Sequence, residues 1–159
     1  MARLIPNDNT WVGFATTISS STLVPTAAEV AAAVPLTGYL ISLNAASQGN
    51  TVPTPAFDSL FETSISGTNQ ASFTADFYKD DAADNAWEAL PRGTHGYFVI
   101  SRFGGAGTKN LPIAADKVEV WPATVTSRTM QNMSNNTVMT FSVTCSIPKE
   151  PNENATVSA

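Results

Sequence analysis

Cysteine occurs once in the 159 residues, at Cys145, and histidine once, at His95. A lone thiol can form neither an intrachain disulfide nor a multi-cysteine metal site, and it fits synthesis in a reducing compartment. A lone imidazole excludes a His-pair metal site and leaves any nucleophile–base couple dependent on that one ring. Charge is scarce as well: Asp, Glu, Lys and Arg make up 13 % of the chain, about half the usual quarter. Eight bases against thirteen acids give a net charge of −5, which argues against holding nucleic-acid backbone or an anionic membrane. No apolar run approaches the roughly 18 residues of a membrane span. The opening residues have only Leu4-Ile5 before Pro6, so no signal-peptide core is visible there.

Serine and threonine fill the gap, with fifteen and twenty copies beside an ordinary hydrophobic share of 43 %. A surface that is polar but weakly charged suits a chain that packs against many copies of itself. The N-x-S/T triplets at Asn132, Asn135 and Asn154 are expected by chance at this composition. The length suits one domain with its own core and no need of a staple. Acidity is concentrated in residues 51–116, where eight acids meet four bases for −4; residues 1–50 carry −1 and residues 117–159 balance.

Period-two alternation is the main structural signal. In residues 137–147, Met139, Phe141, Val143, Cys145 and Ile147 alternate with Thr140, Ser142, Thr144 and Ser146. Eleven residues at about 3.4 Å each predict a strand of roughly 37 Å. Residues 132–136 read as the turn before it, and the same alternation predicts strands over 72–78, 96–103 and 117–121, with weaker ones at 37–43 and 61–66. Two short helices interrupt the strands. Thr26 and Glu29 have capping-box spacing, and Pro35 stops that helix. The second runs from Asp81 to Leu90, with acids at its positive end and Trp87 and Leu90 as a stripe that packs on the sheet. Residues 1–24 are expected to be an N-terminal arm, 25–147 the β domain, and 148–159 a C-terminal tail without apolar alternation. Trp11 and Phe14 are the candidate inter-subunit contacts of the arm, because a disordered tail rarely keeps a tryptophan.

The chemistry-bearing patterns all have plainer explanations. Gly104-Gly-Ala-Gly107-Thr108-Lys109 lacks Walker spacing, since Thr108 separates Gly107 from Lys109, and it leads to Leu111-Pro112; it reads as a loop. Asp80, Asp81 and Asp84 lack the order of a calcium loop, and helix capping accounts for them. Cys145 falls on the apolar face of its strand, which predicts a buried, inert thiol. No carboxylate pair is singled out for glycoside chemistry.

The residues also carry a resemblance. Pro25-Thr-Ala-Ala-Glu-Val30 and Leu36-Thr-Gly-Tyr39 open an ordered series of blocks. It continues through Phe73-Thr-Ala-Asp-Phe-Tyr-Lys-Asp-Asp81, Asp84-Asn-Ala-Trp87, and Leu90-Pro-Arg-Gly-Thr-His-Gly-Tyr-Phe-Val-Ile100. It closes with Asp116-Lys-Val-Glu-Val-Trp-Pro122, Phe141-Ser-Val-Thr-Cys-Ser-Ile147, Glu150-Pro and Asn154-Ala-Thr-Val157. This series resembles the major tail proteins, the tail tube subunits, of long-tailed phages of actinobacteria. The resemblance implies a mainly β fold, a β-sandwich or partial barrel with one short flanking α-helix, similar to the tube protein of type VI secretion. It also implies homohexameric rings whose strands join an inter-subunit barrel, stacked into a hollow conduit for phage DNA. Such a protein is made in the bacterial cytoplasm, resides in the virion tail, and needs no cofactor, metal or catalytic residue. Its partners would be copies of itself, the tape-measure protein, and the terminator and tail-tip or baseplate proteins, with DNA passing non-specifically and no membrane bound. A DNA conduit should be lined by acids and small polar groups, because each base in the bore would hold phosphate; Asp58, Glu62 and Asp76 are the candidate lumen-lining acids. The alternative is a non-catalytic β-sandwich binding or adhesin module in which Trp11, Trp87 and Trp121 would be sugar platforms. A small β-rich hydrolase ranks third, since it lacks a nucleophile and base.

Overall fold

The computed structural model describes residues 9–81, 84–131 and 133–159. Asn132 and the opening residues through Asp8 fall outside them, and so do Ala82 and Ala83 of the expected second helix. The strands are β1 (Trp11–Ala15), β2 (Val34–Pro35), β3 (Leu40–Thr54), β4 (Thr63–Tyr78), β5 (His95–Ser101), β6 (Lys117–Met130), β7 (Thr140–Ser146) and β8 (Asn152–Thr156). Helix α1 (Ala27–Ala32) lies between β1 and β2, and α2 (Asn85–Ala89) between β4 and β5. All pairings between strands are antiparallel, in the order β2-β1-β5-β6-β7-β4-β3, with β8 on the free edge of β6.

The sheet is strongly curled. Phe73 on β4 and Phe98 on β5 stand three strands apart, about 14 Å at about 4.8 Å per strand if the sheet were flat. Their rings are stacked with centroids 4.2 Å apart. The sheet therefore rolls over into an open barrel, and its inner face holds the main core. Phe14, Phe77, Phe98, Trp121, Phe141 and Val143 meet there, all but sealed from solvent. Phe14 sits so close to Gly96 that a Cβ on Gly96 would collide with its ring, so the aromatic packing requires glycine at that point. A second, smaller core lies on the opposite face of β1, β5 and β6. Trp11, Val99, Val118 and Val120 are covered there by Val30 of α1, Leu23 and Val157.

Local chemistry sets both helices. Thr26 Oγ1 accepts from the Glu29 N–H at 3.2 Å and Glu29 Oε2 accepts from the Thr26 N–H at 2.9 Å, a complete capping box. Glu29 Oε1 also accepts from Ser19, and the backbone N–H donors of Thr26 and Ser19 hold its carboxyl below the usual range. Asp84 caps α2, accepting from the N–H groups of Trp87 at 3.0 Å and Asp80 at 2.8 Å, with Lys79 Nζ at 3.1 Å. Burial opposes its charge, and the two N–H donors and Lys79 outweigh that, leaving Asp84 also below the ordinary carboxylate value. The helix is shorter than the Asp81–Leu90 reading because Asp84 itself is the cap.

Several expectations need correction. Trp11 and Phe14 do not lie on a free arm. Strand β1 is inserted between β2 and β5, which leaves Trp11 4 % and Phe14 2 % exposed. Neither does the segment after Pro148 hang free, since β8 pairs with β6 and buries Ala155, and Val157 just beyond it is buried too. The β7 strand is shorter than 137–147, beginning at Thr140 after a turn at 134–137. By contrast β6 runs past Pro122 to Met130. Pro122 falls between the β8 register, which ends at Val120, and the β7 register, which begins at Thr124, so β6 has only β5 beside it there.

Candidate functional site

Two features of the fold are unlike an ordinary globular surface: one sheet face made almost wholly of hydroxyl and amide side chains, and one hairpin that outruns the sheet.

The face belongs to β6, β7, β4 and β3. Register places Thr140, Ser142, Thr144 and Ser146 of β7 beside Tyr78, Asp76, Thr74 and Ser72 of β4. Ser42, Asn44 and Ala46 of β3 continue the rows on one side, and Thr124, Ser127 and Thr129 of β6 on the other. An irregularity between Val125 and Ser127 keeps the β6 hydroxyls in phase with those of β7. The alternate positions, Phe73, Ala75, Phe77, Phe141, Val143 and Cys145, face the core. Burial pushes the Cys145 thiol up to about 12, so at neutral pH it is a small apolar residue, not a nucleophile.

Among the described residues this face carries one charge, Asp76, whose carboxylate accepts from Ser42 Oγ at 2.9 Å. The nearby bases are engaged elsewhere. Arg128 sits 3.7 Å over the Trp87 ring and donates to the Trp87 carbonyl at 2.6 Å, on the core side of β6. Lys79 pairs with Asp84, and Arg102 with Glu119. His95, at the margin of the face, shares a 2.8 Å hydrogen bond between Nδ1 and Thr124 Oγ1.

Of the three acids proposed from the sequence, the structure brings only Asp76 onto this face. Asp58 and Glu62 are exposed in the β3–β4 connection, residues 55–62, far along the hairpin from the β7 register. Trp87 and Leu90 both join the main core, Leu90 fully buried and Trp87 half-buried with its edge on Phe141 at 5.0 Å. The glycine-rich loop uses its own N–H groups: Gly105 donates to the Asn110 carbonyl and Gly107 to that of Leu111, so no cradle of free donors faces outward. No cluster of three or more His, Cys, Asp or Glu able to hold a metal occurs among the described residues.

The hairpin was the feature sequence reading underestimated. β3 and β4 pair along almost their whole length, from Leu40↔Phe77 to Thr54↔Thr63. β7 supports β4 only over Ser72–Tyr78. Residues 47–54 and 63–71 thus form a two-stranded ribbon with no third strand. Its tip exposes Phe57 and Leu60 fully and Phe61 at 76 %. A sequence signal existed: Phe57, Leu60 and Phe61 have no period-two spacing and lie beside Asp58 and Glu62 in residues 51–78, which hold no base, and this suits neither a core nor a solvated loop.

Comparison with known proteins matches the whole chain, residues 1–159, to the family described as phage tail tube protein. No curated protein matches the sequence. Several solved structures share the fold, three of them as follows. The SPP1 tail tube is similar at a TM-score of 0.63 and 14 % identity, covering 98 % of this chain and 81 % of that one. The tail of an empty gene transfer agent (GTA) particle, refined helically with C6 symmetry, gives 0.61 and 12 %, covering 96 % and 100 %. The virion of a native GTA particle gives 0.59 and 11 %, covering 94 % and 98 %.

Proposed function

We propose, since this chain belongs to the phage tail tube protein family, that its hydroxyl face is the wall of the bore through which DNA passes. The observation that carries this reading is the conjunction of that face with two open strand edges. β3 ends the sheet on one side, and β6 beyond Val125 has β7 as its only strand partner on the other. The GTA tail that this fold resembles has C6 symmetry, and a ring of six copies would join the outer edge of β3 to the free stretch of β6 in the next copy. That is a heterologous contact, which closes on rotation and hides both edges. Six copies of a four-stranded sheet give about 24 strands; at about 4.8 Å each, the backbone circle is roughly 37 Å across before strand tilt widens it, so the bore stays open.

The mechanism is passage without adhesion. Duplex DNA carries about one negative charge per 1.7 Å, and every base on the wall would add a counterion-release attraction repeated round the ring. Hydroxyls and Asp76 hold no phosphate strongly, and Arg128, the cation nearest this wall on β6, is held over Trp87 on the opposite face. We read the protein as non-catalytic, made in the host cytoplasm, and incorporated with tape-measure, terminator and tail-tip or baseplate proteins. The sequence blocks support phages of actinobacteria as its source. Paired with Ser142→Lys, Thr144→Lys should leave tubes intact and slow genome release, most at low salt. Thr144→Cys tests the wall directly. Protection of that thiol from a bulky maleimide in assembled tubes, with free reaction in the subunit, is the expected result; equal labelling of both would place the face outside and overturn the reading.

A further inference from the structure

His95 is the one imidazole of the chain, and it stands at the margin of the hydroxyl face. Register puts it in a single row across four strands, His95, Thr124, Ser146 and Ser72, from β5 through β6 and β7 to β4. It opens β5, and at that pair β5 leaves the edge of β6, where the free stretch of β6 begins. The ring is exposed, with Nδ1 2.8 Å from Thr124 Oγ1, and Nε2 has no hydrogen bond among the described residues. Its surroundings are nearly neutral. Thr124 on β6 and Ser146 on β7 carry no charge, and β1, the other neighbour of β5, has no charged residue. Arg92, exposed in the turn before β5, forms no ion pair among the described residues. Asp76, the acid of the face, lies four residues along β4 from Ser72 and three strands from His95. That is roughly 20 Å over the sheet, at about 3.4 Å per residue and about 4.8 Å per strand. The Debye length is about 10 Å at 0.1 M salt, so the two do not pair within a subunit.

We propose that His95 is a proton-operated phosphate contact, which leaves the wall indifferent to DNA at neutral pH and makes it hold DNA in mild acid. Histidine is the side chain that ordinarily changes charge between pH 5 and 8. A neutral imidazole has one N–H and one bare nitrogen, and either the ring or the Thr124 hydroxyl donates across the 2.8 Å contact. In the imidazolium both nitrogens carry hydrogen. Nδ1 then donates to Thr124 Oγ1, whose hydroxyl turns to accept, so charging the ring costs the fold no hydrogen bond. Nε2–H is left as a cationic donor for an anion outside the subunit. The face carries one acid per copy, Asp76, so one imidazolium per copy takes its charge from −1 to zero. Six-fold repetition applies that change all round the ring, and each cation adds a counterion-release attraction for the phosphate backbone. Adhesion is therefore present below the titration of the ring and lost above it. This contact rests on the tube reading above and adds the condition under which the wall stops letting DNA slip.

The test uses tubes assembled from the full-length chain and from its His95→Gln and His95→Lys variants, incubated with a short labelled DNA duplex at low salt. Duplex sedimenting with the tubes is measured at pH 7.5 and pH 5.5, with electron microscopy of each sample. The parent should retain about fivefold more duplex at pH 5.5, and raised salt should abolish the gain. His95→Gln should retain little at either pH, and His95→Lys should retain duplex at both. Equal retention by the parent at the two pH values, or a gain that survives His95→Gln, overturns the contact and leaves the tube reading standing. Tubes that dissolve at pH 5.5 overturn it as well, because acid would then act on the joints between subunits. Where His95→Gln fails to assemble, His95→Lys decides: retention limited to pH 5.5 in that variant overturns the contact. A gain that depends on His95 while Thr144→Cys labels equally in tube and subunit overturns the wall reading, and leaves a phosphate contact on an outer surface.

Discussion

The inner and outer halves of the β3–β4 hairpin belong to the same two strands, divided by a register shift between Gly49 and Thr51, and they live in different environments. In the inner half, Phe73, Ala75 and Phe77 are buried, and β7 supports β4 from Ser72 to Tyr78. In the outer half, Val52 and Ile65 face each other directly and remain 49 % and 59 % exposed. A two-stranded ribbon is marginal by itself in water. Its fifteen- and sixteen-residue strands are held at the anchored end, and the apolar groups at the free end stay exposed. Burial is concentrated at one end of the element, and exposed apolar surface at the other.

The comparison breaks first at Phe73. Its ring stacks on Phe98 at 4.2 Å and tilts toward Trp121 at 6.4 Å, joining the two flanks of the rolled sheet. Phe73→Ala should cost about 3–5 kcal/mol, the range for a buried aromatic, read by denaturant unfolding of the free subunit. A loss under about 1 kcal/mol would mean that the sheet does not close through this contact.

Trp87 should give an intermediate effect. It is half-buried, edge-on to Phe141, and lies under Arg128 with Lys79 5.7 Å from its centroid. Trp87→Ala should cost about 1–3 kcal/mol, less than a sealed aromatic because part of the ring already meets water. It should also loosen Arg128, which loses the ring and keeps its hydrogen bond to the residue-87 carbonyl. Slower DNA release in that variant, with tube length unchanged, would sharpen the electrostatic account.

Acid should act on the anchored half and its supports. Glu29 and Asp84 cap the two helices, and Asp116 accepts from the N–H groups of Ile113 and Ala106 at 2.8 and 2.9 Å. Hydrogen bonds lower the pKa of all three, the Ile113 donor contributing most at Asp116. The folded state then binds fewer protons than the unfolded one, so stability is fully present above the ordinary carboxylate range. It is lost as pH falls from 4.5 for Glu29, and from 3.8 for the two Asp residues, toward their lower folded values. Thermal scans from pH 6 to 2.5 should show a falling Tm within that window. Asn at position 84 should remove part of the slope, and an unchanged slope would mean that the cap does not titrate with folding.

Much of this was legible in the sequence. Alternation from Phe141 to Cys145 revealed both the strand and its two faces, and Thr26 with Glu29 revealed the first helix cap, because these are local signals between near neighbours. Three things were not legible. That Trp11 and Phe14 belong to a central strand depends on pairing with β5, some ninety residues away, and a five-residue strand flanked by Thr10 and Thr16 shows no period-two alternation. The Asn152–Thr156 strand is polar at four of its five positions, so only Ala155 and Val157 mark its buried side. Asp58 and Glu62 lie beside and on the strand expected at 61–66, and the hairpin length, fixed by the register from Leu40↔Phe77 outward, sends them to the tip.

The smallest expected change is the most informative about that tip. Val52 and Ile65 form an exposed cross-strand pair on the unsupported ribbon, and such a pair contributes roughly 0.2–1 kcal/mol relative to alanines. Replacing both by threonine keeps the β-branched shape that suits a strand and removes only apolar surface. The free subunit should unfold within about 0.5 kcal/mol of the parent, because these side chains contact neither core. Assembly is to be measured separately, since in the proposed tube these exposed side chains are open to contact from another copy. Light scattering should show a raised critical concentration for tube growth at unchanged subunit stability. Equal loss of subunit stability and of assembly would instead make the outer ribbon part of the folding unit, and the contrast between the two halves would then disappear.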